Sequence, residues 1–425
     1  MRAPRTDAAR LLGLLDIGTT KIVCLIVAID PRGPSILAGM SVPFRVLGVG
    51  HQRSSGLKAG VITDIETAEV AVRAAVDQAE HMAGVHLDEV YVSIACGRLK
   101  SEVFAANADV ASGVVGDGDL ARVFDGGRAY AEREGRMLVH MNRVGIRLDG
   151  APGGGDPRGL AARRITADLH AVTADDAPVR NLMLLVERCY LRVAGLVVTP
   201  FASALAATSV EERRLGVTVV DIGGGVTSIA LFADNRFIHA ETIPVGGGHM
   251  TYDIARGLQA PLADADRIKA LYGSLVPAPS DSHEGFAYPL AGEADGIEGQ
   301  ATRADLTAIL RPRVAGLIGL VEERLQRAGM SVYAGDRVVL TGGASQLVGI
   351  GEFVASSIGR RVRVSGPDGA AALPRGLATP SFSTAVGMVA AVTAGDGLMS
   401  VHGEHGMLAR SYIGRVGQWL RQGFQ

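Results

Sequence analysis

The sequence predicts an α/β protein made of two related halves, with a small α+β segment inserted in the first half. Three observations support this fold class. A hairpin motif occurs twice, strands alternate with helices along most of the chain, and strands dominate one interval, 85–175. The chain has 425 residues, 48% hydrophobic and 20% charged, which is an ordinary globular composition in a protein too long for one core.

The repeated motif is an apolar strand, an Asp-Ile-Gly turn and a second apolar strand. The first copy, at 15–21, reads LDIGTTK and is followed by IVCL. The second copy, at 220–227, reads VDIGGGVT and is followed by SIAL. Each copy predicts a β-hairpin, and the two together predict a duplicated architecture in which each half opens with such a hairpin.

The two hairpin turns have the composition of a phosphate-binding site. Glycine lets backbone N–H groups approach phosphate oxygens, while hydroxyl groups and a lysine add donors and positive charge. The predicted phosphate-binding residues are Gly18, Thr19, Thr20, Lys21, Gly223, Gly224, Gly225 and Thr227. A turn that merely closes a hairpin would explain one copy equally well, but two copies favour phosphate binding.

Asp16 and Asp221 begin the two turns. A pair of carboxylates facing bound phosphates is the usual way in which proteins hold a hydrated Mg²⁺. The sequence therefore predicts that both residues bind Mg²⁺ through water and that the two hairpins clamp a nucleotide between them.

A third glycine-rich turn, at 338–345, reads VVLTGGAS. An apolar strand running into Gly-Gly and then a helix suits a backbone that packs closely against an adenine ring. Two phosphate hairpins followed by this turn, in this order, resemble the actin-like ATPase superfamily. The resemblance implies an actin-like (ribonuclease-H-like) duplicated two-domain fold that binds ATP.

Further segments resemble the FtsA family of bacterial cell-division proteins over nearly the whole chain. They read GVITDI at 60–65, GGHMTYDIA at 247–255 after Gly246, ADRIK at 265–269 and FSTAVG at 382–387. ADRIK is similar to the family's Ala-Glu-x-Ile-Lys element, although Asp266 is one methylene shorter than the usual Glu. The resemblance implies that the adenosine-binding residues are Gly342, Gly343, Ala344, Asp266 and Lys269.

The resemblance also implies the domain boundaries. Subdomain 1A is expected to comprise 1–84, 176–202 and 380–397, with the inserted subdomain 1C at 85–175. Within the insertion we expect strands at 90–95, 137–148 and 165–172 around a helix at 120–134. Subdomain 2A is expected at 203–241 and 307–379, subdomain 2B at 242–306, and a linker with a terminal helix at 398–425.

The C-terminal segment predicts a basic amphipathic helix that lies in a membrane interface. On a helical wheel its apolar residues fall within one arc of about 160°, and three arginines occupy the opposite side. The predicted membrane-binding residues are Leu408, Tyr412, Ile413, Val416, Trp419, Leu420, Phe424, Arg410, Arg415 and Arg421. A helix docked on the protein's own core is the alternative explanation of this pattern.

Several functions are excluded or disfavoured by composition. A net charge of −2 and 4% aromatic residues argue against nucleic-acid binding. The chain has no run of eighteen apolar residues, so no spanning helix is expected. Its three cysteines, Cys24, Cys96 and Cys189, lack metal-site spacing and suggest a reduced, cytosolic interior.

Membership of the FtsA family would imply an adaptor that ties the division protein FtsZ to the cytoplasmic face of the bacterial inner membrane at the division site. The implied partners are the FtsZ C-terminal peptide, further copies of the chain in a filament, anionic lipid, and later division proteins that bind subdomain 1C. We expect at most weak ATPase activity, since no general base stands out. A metabolite kinase and a PilM-type pilus-assembly protein are the alternatives.

Arg303 is the predicted contact for the FtsZ peptide. It follows the helix start at Thr302, where free N–H groups and the positive end of the helix dipole can hold an acidic peptide. A solvated surface arginine is the alternative.

Overall fold

The computed structural model describes residues 10–29, 36–37, 40–41, 44–153, 155–293, 297–367 and 373–393. Its strands are β1 (Arg10–Ile17), β2 (Lys21–Ile29), β3 (Ile36–Leu37), β4 (Met40–Ser41), β5 (Phe44–Arg53), β6 (Leu57–Lys58), β7 (Val61–Ile62), β8 (Glu89–Ile94), β9 (Lys100–Asp109), β10 (Arg136–Leu148), β11 (Ala151–Pro152), β12 (Arg164–Asp175), β13 (Arg192–Val198), β14 (Val217–Ile222), β15 (Thr227–Ala233), β16 (Arg236–Ile243), β17 (Gly285–Pro289), β18 (Glu298–Thr302), β19 (Arg337–Thr341) and β20 (Arg361–Val364). Its α-helices are α1 (Ile65–Ala83), α2 (Asp117–Ala131), α3 (Asp176–Arg188), α4 (Thr199–Ala207), α5 (Val210–Leu215), α6 (Gly247–Leu258), α7 (Leu262–Tyr272), α8 (Arg303–Arg327), α9 (Ile350–Ile358) and α10 (Ser383–Thr393).

Two five-stranded sheets confirm the duplication. The first has the order β5-β2-β1-β8-β13 and the second the order β16-β15-β14-β19-β20. In each sheet the first three strands form antiparallel pairs, and the last two are added in parallel. The predicted hairpins are β1–β2 and β14–β15, at equivalent places in the two sheets.

The inserted subdomain forms its own antiparallel sheet, in the order β11-β10-β12-β9, with α2 packed on it. Its boundary differs from the predicted one, because β8 pairs with β1 and β13 in the first sheet. The insertion therefore begins after Ile94 rather than at residue 85. Strand β9, which the sequence analysis did not predict, completes the inserted sheet and packs against β16 of the second half.

Helix α1 begins one residue later than its sequence suggests. The segment 63–66 reads TDIE and resembles a capping box with Thr63 as the cap. In the structure Asp64 is the cap, and its Oδ1 accepts from the amides of Glu66 and Thr67 at 3.1 Å each. The end at Gly84 in a left-handed conformation agrees with the sequence.

Helices α4 and α10 lie between the two large sheets. Helix α10 contacts β1 and β8 of the first sheet, while α4 contacts β14 and β15 of the second. The two helices cross so closely that a Cβ on Gly387 would lie 1.8 Å from the carbonyl oxygen of Ala202. The two halves are therefore joined by a backbone contact that only glycine permits.

This crossing predicts the effect of a single methyl group. Gly387→Ala should destabilise the protein by about 3 kcal/mol, because the added Cβ must push the two helices apart in a packed core. Gly316→Ala, in α8, is the matched control, since a Cβ there meets no atom within 4 Å. The control should be neutral or slightly more stable. Thermal unfolding followed by circular dichroism compares the two variants, and equal melting temperatures would contradict the prediction.

Candidate functional site

The two hairpin turns have the same geometry. The amide of Gly18 donates to the carbonyl of Lys21, and the amide of Gly223 donates to the carbonyl of Val226, both at 2.9 Å. These bonds make Asp16 and Asp221, two residues before each glycine, structurally equivalent. The repeat found in the sequence is therefore a repeat of local backbone structure.

The turns meet at the junction of the two halves. A Cβ on Gly224 would lie 2.3 Å from Thr20 Cγ2, and a Cβ on Gly225 would lie 2.7 Å from Thr19 Oγ1. Glycine at these positions thus lets the second turn approach the threonines of the first. The structure brings these predicted phosphate-binding residues of both hairpins together.

Asp16 and Asp221 are both buried at the ends of β1 and β14. Ser93 Oγ donates to Asp16 Oδ1 at 2.6 Å, and Thr384 Oγ1 donates to Asp221 Oδ2 at 3.1 Å. Burial raises the pKa of Asp16, against the charge of Lys21 and the bond from Ser93. Burial, followed by the charge of Asp16, raises the pKa of Asp221 to about 6. Two buried carboxylates that repel each other favour a cation between them.

Lys21 supplies positive charge to this pair from one side. Its Nζ donates to the carbonyl of Ser381 and lies 3.9 Å from the centroid of the Phe382 ring. Burial lowers the pKa of Lys21, although Asp16 and Asp221 act in the opposite direction. The ammonium group is therefore held just before the start of α10, the helix that packs on the first sheet.

The site has the chemistry that Mg²⁺ requires. Carboxylate oxygens are hard ligands, and Mg²⁺ usually takes one or two carboxylates, several waters and substrate phosphates. Asp16 and Asp221 supply two such carboxylates and no soft ligand. In the part of the chain that the structure describes, no group of three or more His, Cys, Asp or Glu residues is placed to hold a metal. The residues present thus fit a metal bound together with phosphate.

Thr227 is placed differently from the other predicted phosphate residues. Its side chain is fully buried, and its Oγ1 donates to the carbonyl of Val245 at 2.7 Å. Thr227 is the first residue of β15, after the turn itself. The hydroxyl of Thr227 therefore fixes the chain between β16 and α6 and is not directed at the turn.

The predicted adenosine-binding residues of α7 lie against the start of α6. Lys269 Nζ donates to the carbonyl of Gly247 at 3.2 Å, to Thr251 Oγ1 at 2.5 Å and to Asp266 Oδ1 at 2.8 Å. Burial alone would raise the pKa of Asp266, but the hydrogen bond and charge of Lys269 lower it overall. Asp266 and Lys269 thus form one polar group that ties α7 to α6.

The third glycine turn completes the arrangement. Gly342 has φ +84°, and a Cβ on it would lie 2.2 Å from Asp221 Oδ1, so only glycine fits beside the carboxylate. A Cβ added to Gly247, at the start of α6, would lie 2.9 Å from the Cβ of Ala344. Gly342 therefore adjoins the second hairpin, and Ala344 adjoins the start of α6. A Cβ on Gly343 would lie 3.3 Å from Ser381 Oγ, before α10.

Several site residues were not found from the sequence. Ser93 and Thr384 orient the two carboxylates, and Thr251 accepts from Lys269. The amides of Gly247 and Gly248 donate to the carbonyls of Gly223 and Gly224 at 2.9 and 2.7 Å. Thr251, Gly247 and Gly248 were recognised in the sequence only as members of the segment GGHMTYDIA, without a role. A lone serine and a lone threonine carry no sequence signal for this role.

Two further sets of predicted residues are not part of the site described above. Arg303 at the start of α8 forms ion pairs with Glu284 at 3.1 Å and Asp281 at 3.8 Å, which gives a first-turn arginine a structural explanation. The predicted membrane-binding residues at 408–424 lie outside the described residues. Within the described ranges, no helix combines the length and the apolar character needed to cross a membrane.

The fold and the paired hairpins define an actin-like protein. The chain is similar to a solved PilM-PilN type IV pilus biogenesis complex (TM-score 0.62, 16% identity, 91% of this chain and 98% of that chain). It is also similar to MreB5 of Spiroplasma citri (TM-score 0.52, 14% identity, 89% of this chain and 95% of that chain). At these identities the two structures support the actin-like fold and nothing finer.

Sequence comparison identifies the family. The chain is 39% identical over 424 residues to the cell division protein FtsA of Agrobacterium fabrum, covering 98% of this chain and 95% of the relative. It is 28% identical to the FtsA of Escherichia coli, covering 99% of each. The family model "Cell division protein FtsA" matches residues 218–387, and "SHS2 domain inserted in FTSA" matches residues 96–173.

The chain therefore belongs to the FtsA family of cell-division proteins. This confirms the resemblance found in the sequence, and it favours a cell-division function over the metabolite-kinase and pilus-assembly alternatives.

The pKa of Asp221 predicts an unusual effect of pH. A carboxyl group whose pKa is raised in the folded state, here from 3.8 to about 6, stabilises the fold at low pH. That contribution is lost as the pH rises from about 4 through about 6. In magnesium-free and nucleotide-free buffer at pH 7.5, Asp221→Asn should therefore be more stable than the parent chain, by up to about 3 kcal/mol.

The difference should shrink strongly at pH 4.5, where the parent carboxyl is mostly protonated. Thermal unfolding at the two pH values measures both stability differences. A stability gain of the same size at both values would show that the charge of Asp221 is not its cause.

Proposed function

We propose that the chain binds ATP with Mg²⁺ in the cleft between its two halves. The observation that carries this proposal is the meeting of two equivalent hairpin turns, each with a buried carboxylate at its start. The solved MreB5 of Spiroplasma citri, which shares the fold, is described as bound to ADP. In the proposed complex Gly18, Thr19 and Thr20 bind phosphate from the first half.

Lys21 adds positive charge from the same first half. The turn at Gly223, Gly224 and Gly225 binds phosphate from the second half. The base and ribose would lie against Gly342, Gly343 and Ala344, with Asp266 and Lys269 at the edge. The Lys269 network supports this placement, because it holds α7 against α6 beside the third glycine turn.

Asp16 and Asp221 would hold Mg²⁺ through its water ligands. The ion supplies positive charge that neutralises the phosphates and the two carboxylates together. Ser93 and Thr384 keep the carboxylate oxygens in place through their hydroxyl groups. The side chains described around the turns include no evident general base, so we propose weak ATPase activity at most.

Magnesium dependence tests this site. Asp221→Ala should weaken ATP binding at least tenfold in magnesium buffer, and much less in EDTA, because the carboxylate acts on the nucleotide through the metal. Fluorescence anisotropy of a labelled ATP analogue measures both affinities. Asp264→Ala is the matched control, since this carboxylate pairs with Arg267 on the surface of α7. Equal losses in the two buffers would rule out the metal role.

At the level of the cell, we propose that the protein is an adaptor between the FtsZ ring and the membrane. Membership of the FtsA family supports this role. The proposed partners are the FtsZ C-terminal peptide, other copies of the chain in an actin-like filament, and later division proteins at the inserted subdomain. The peptide would bind subdomain 2B near the start of α8, where Arg303 lies. The protein would act at the cytoplasmic face of the inner membrane, at the division site.

Attachment to the membrane is proposed to occur through the amphipathic segment 408–424. Its apolar residues would enter the lipid interface while Arg410, Arg415 and Arg421 face anionic headgroups. One short interfacial helix binds weakly, so several helices on one filament would be needed for firm attachment.

The single tryptophan offers a direct test of this attachment. Trp419→Glu should reduce flotation with anionic vesicles several-fold, because it places a charge in the apolar face. Gln418→Glu is the matched control, because it adds the same charge on the polar face. If both variants float as well as the parent chain, the apolar face does not bind lipid.

A further inference from the structure

Three buried histidines lie where the inserted subdomain packs against β16 of the second half. His140 on β10, His170 on β12 and His239 on β16 are 5%, 0% and 5% exposed. The ring of Phe237 packs against His140 and His170, at centroid distances of 5.3 and 4.9 Å. None of these residues belongs to the proposed nucleotide site, and buried polar groups in such a place need hydrogen-bond partners.

Asn142 is at the centre of the hydrogen-bond network. Its Nδ2 donates to the carbonyl of Phe237 at 2.9 Å, across the boundary between the inserted subdomain and β16. Its Oδ1 lies 3.1 Å from His140 Nε2 and 3.1 Å from His170 Nδ1. An amide oxygen can only accept, so both ring nitrogens must carry hydrogen.

Ser101 on β9 extends the network to the second half. Its Oγ accepts from the amide of Ala240 at 2.7 Å and lies 2.9 Å from His170 Nε2 and 3.3 Å from His239 Nδ1. Neutral His170, with hydrogen on Nδ1, presents Nε2 as an acceptor, so Ser101 donates to it. His239 Nδ1 then donates to Ser101. Burial holds the pKa of His170 well below its usual value, which agrees with a neutral ring.

A further bond joins the segment before β9 to the end of β16. The amide of Leu99 donates to Thr242 Oγ1 at 3.2 Å. We name the seven residues that make these four cross-boundary bonds the latch, namely Leu99, Ser101 and Asn142 of the inserted subdomain and Phe237, His239, Ala240 and Thr242 of β16.

The latch lies a few residues along the chain from groups that form hydrogen bonds with both hairpins. On one side, Leu99 follows by six residues Ser93, whose hydroxyl bonds to Asp16 in the first half. On the other side, Thr242 precedes by three residues Val245, whose carbonyl accepts from Thr227 of the second hairpin. Since Leu99 follows β8 of the first sheet and Thr242 lies on β16 of the second, a rotation of one half against the other would move the two residues relative to each other.

We propose that the latch couples the nucleotide cleft to the inserted subdomain. While the latch is closed, the inserted subdomain bridges both halves and holds the two hairpin turns close together. A nucleotide that bridges both turns stabilises the same arrangement, so nucleotide binding and latch closure strengthen each other by the same factor. This inference rests on the proposed binding of ATP between the halves.

Two small substitutions, one on each side of the latch, test the coupling. Ser101→Ala removes the acceptor of the Ala240 amide, and Thr242→Val removes the acceptor of the Leu99 amide at nearly constant volume. Each should weaken binding of a labelled ATP analogue at least threefold by anisotropy. Ser112→Ala is the matched control, because its hydroxyl donates only within its own loop, to the carbonyl of Val114 at 2.8 Å.

Hydrogen exchange without nucleotide tests the latch by itself. Ser101→Ala should speed exchange at Leu99, and Thr242→Val should speed it at Ala240, although neither change removes the partner of that amide. In the parent chain, ATP should slow exchange at both amides. The two variants act from opposite subdomains, so a folding defect in one leaves the other as a test.

The outcomes are separable. If each substitution affects only the amide whose acceptor it removes, the residues of the latch do not act as one unit and the proposal is overturned. The proposal is also overturned if both variants speed exchange at the Leu99 and Ala240 amides but keep an ATP affinity within twofold of the parent value. If the parent chain binds no ATP while the exchange effects appear, the proposed function fails and the coupling fails with it, although the latch itself is real.

Discussion

The crossing of α4 and α10 is the contact on which the arrangement of the two halves depends. Gly387 lets α10 approach the carbonyl of Ala202 more closely than any side chain would allow. Because α4 packs on the second sheet and α10 on the first, this approach sets the distance between the sheets. It also carries Thr384, at the start of α10, to the carboxylate of Asp221. The geometry of the cleft is therefore a consequence of helix packing beneath it.

The cleft combines this tight packing with an electrostatic cost. Asp16 and Asp221 are buried near each other, and burial raises the pKa of both carboxylates. In a core selected for stability alone, such a pair would be unfavourable. In the proposed complex, a Mg²⁺ ion offsets this repulsion, since it interacts with both carboxylates through its water ligands. The proposed ligand would therefore stabilise the folded chain by binding at this cost-bearing site.

The inserted subdomain adds a second connection between the halves. It leaves the first sheet after β8, returns to it through α3, and packs its strands β9 and β10 on β16. The contact with β16 contains the hydrogen bonds of Asn142 and Ser101 together with the rings of Phe237 and the three histidines. Buried networks of this kind specify one arrangement, because any displacement leaves polar groups without partners. The two halves are therefore held by a close helix crossing on one side and a polar latch on the other.

The sequence by itself determined the features that depend on neighbouring residues. The two hairpins, the third glycine turn, the start of α8 at Thr302 and the duplicated fold were all predictable, because turns and caps are encoded within a few positions. Only the tertiary structure decided the features that depend on residues far apart in the sequence. In the structure β8 belongs to the first sheet, β9 belongs to the inserted sheet, and the hydroxyl of Thr227 donates to the carbonyl of Val245. Ser93 and Thr384 bond to carboxylates that are 77 and 163 positions away in the sequence. A single hydroxyl group is recognisable as part of a site only when the fold shows which carboxylate lies beside it.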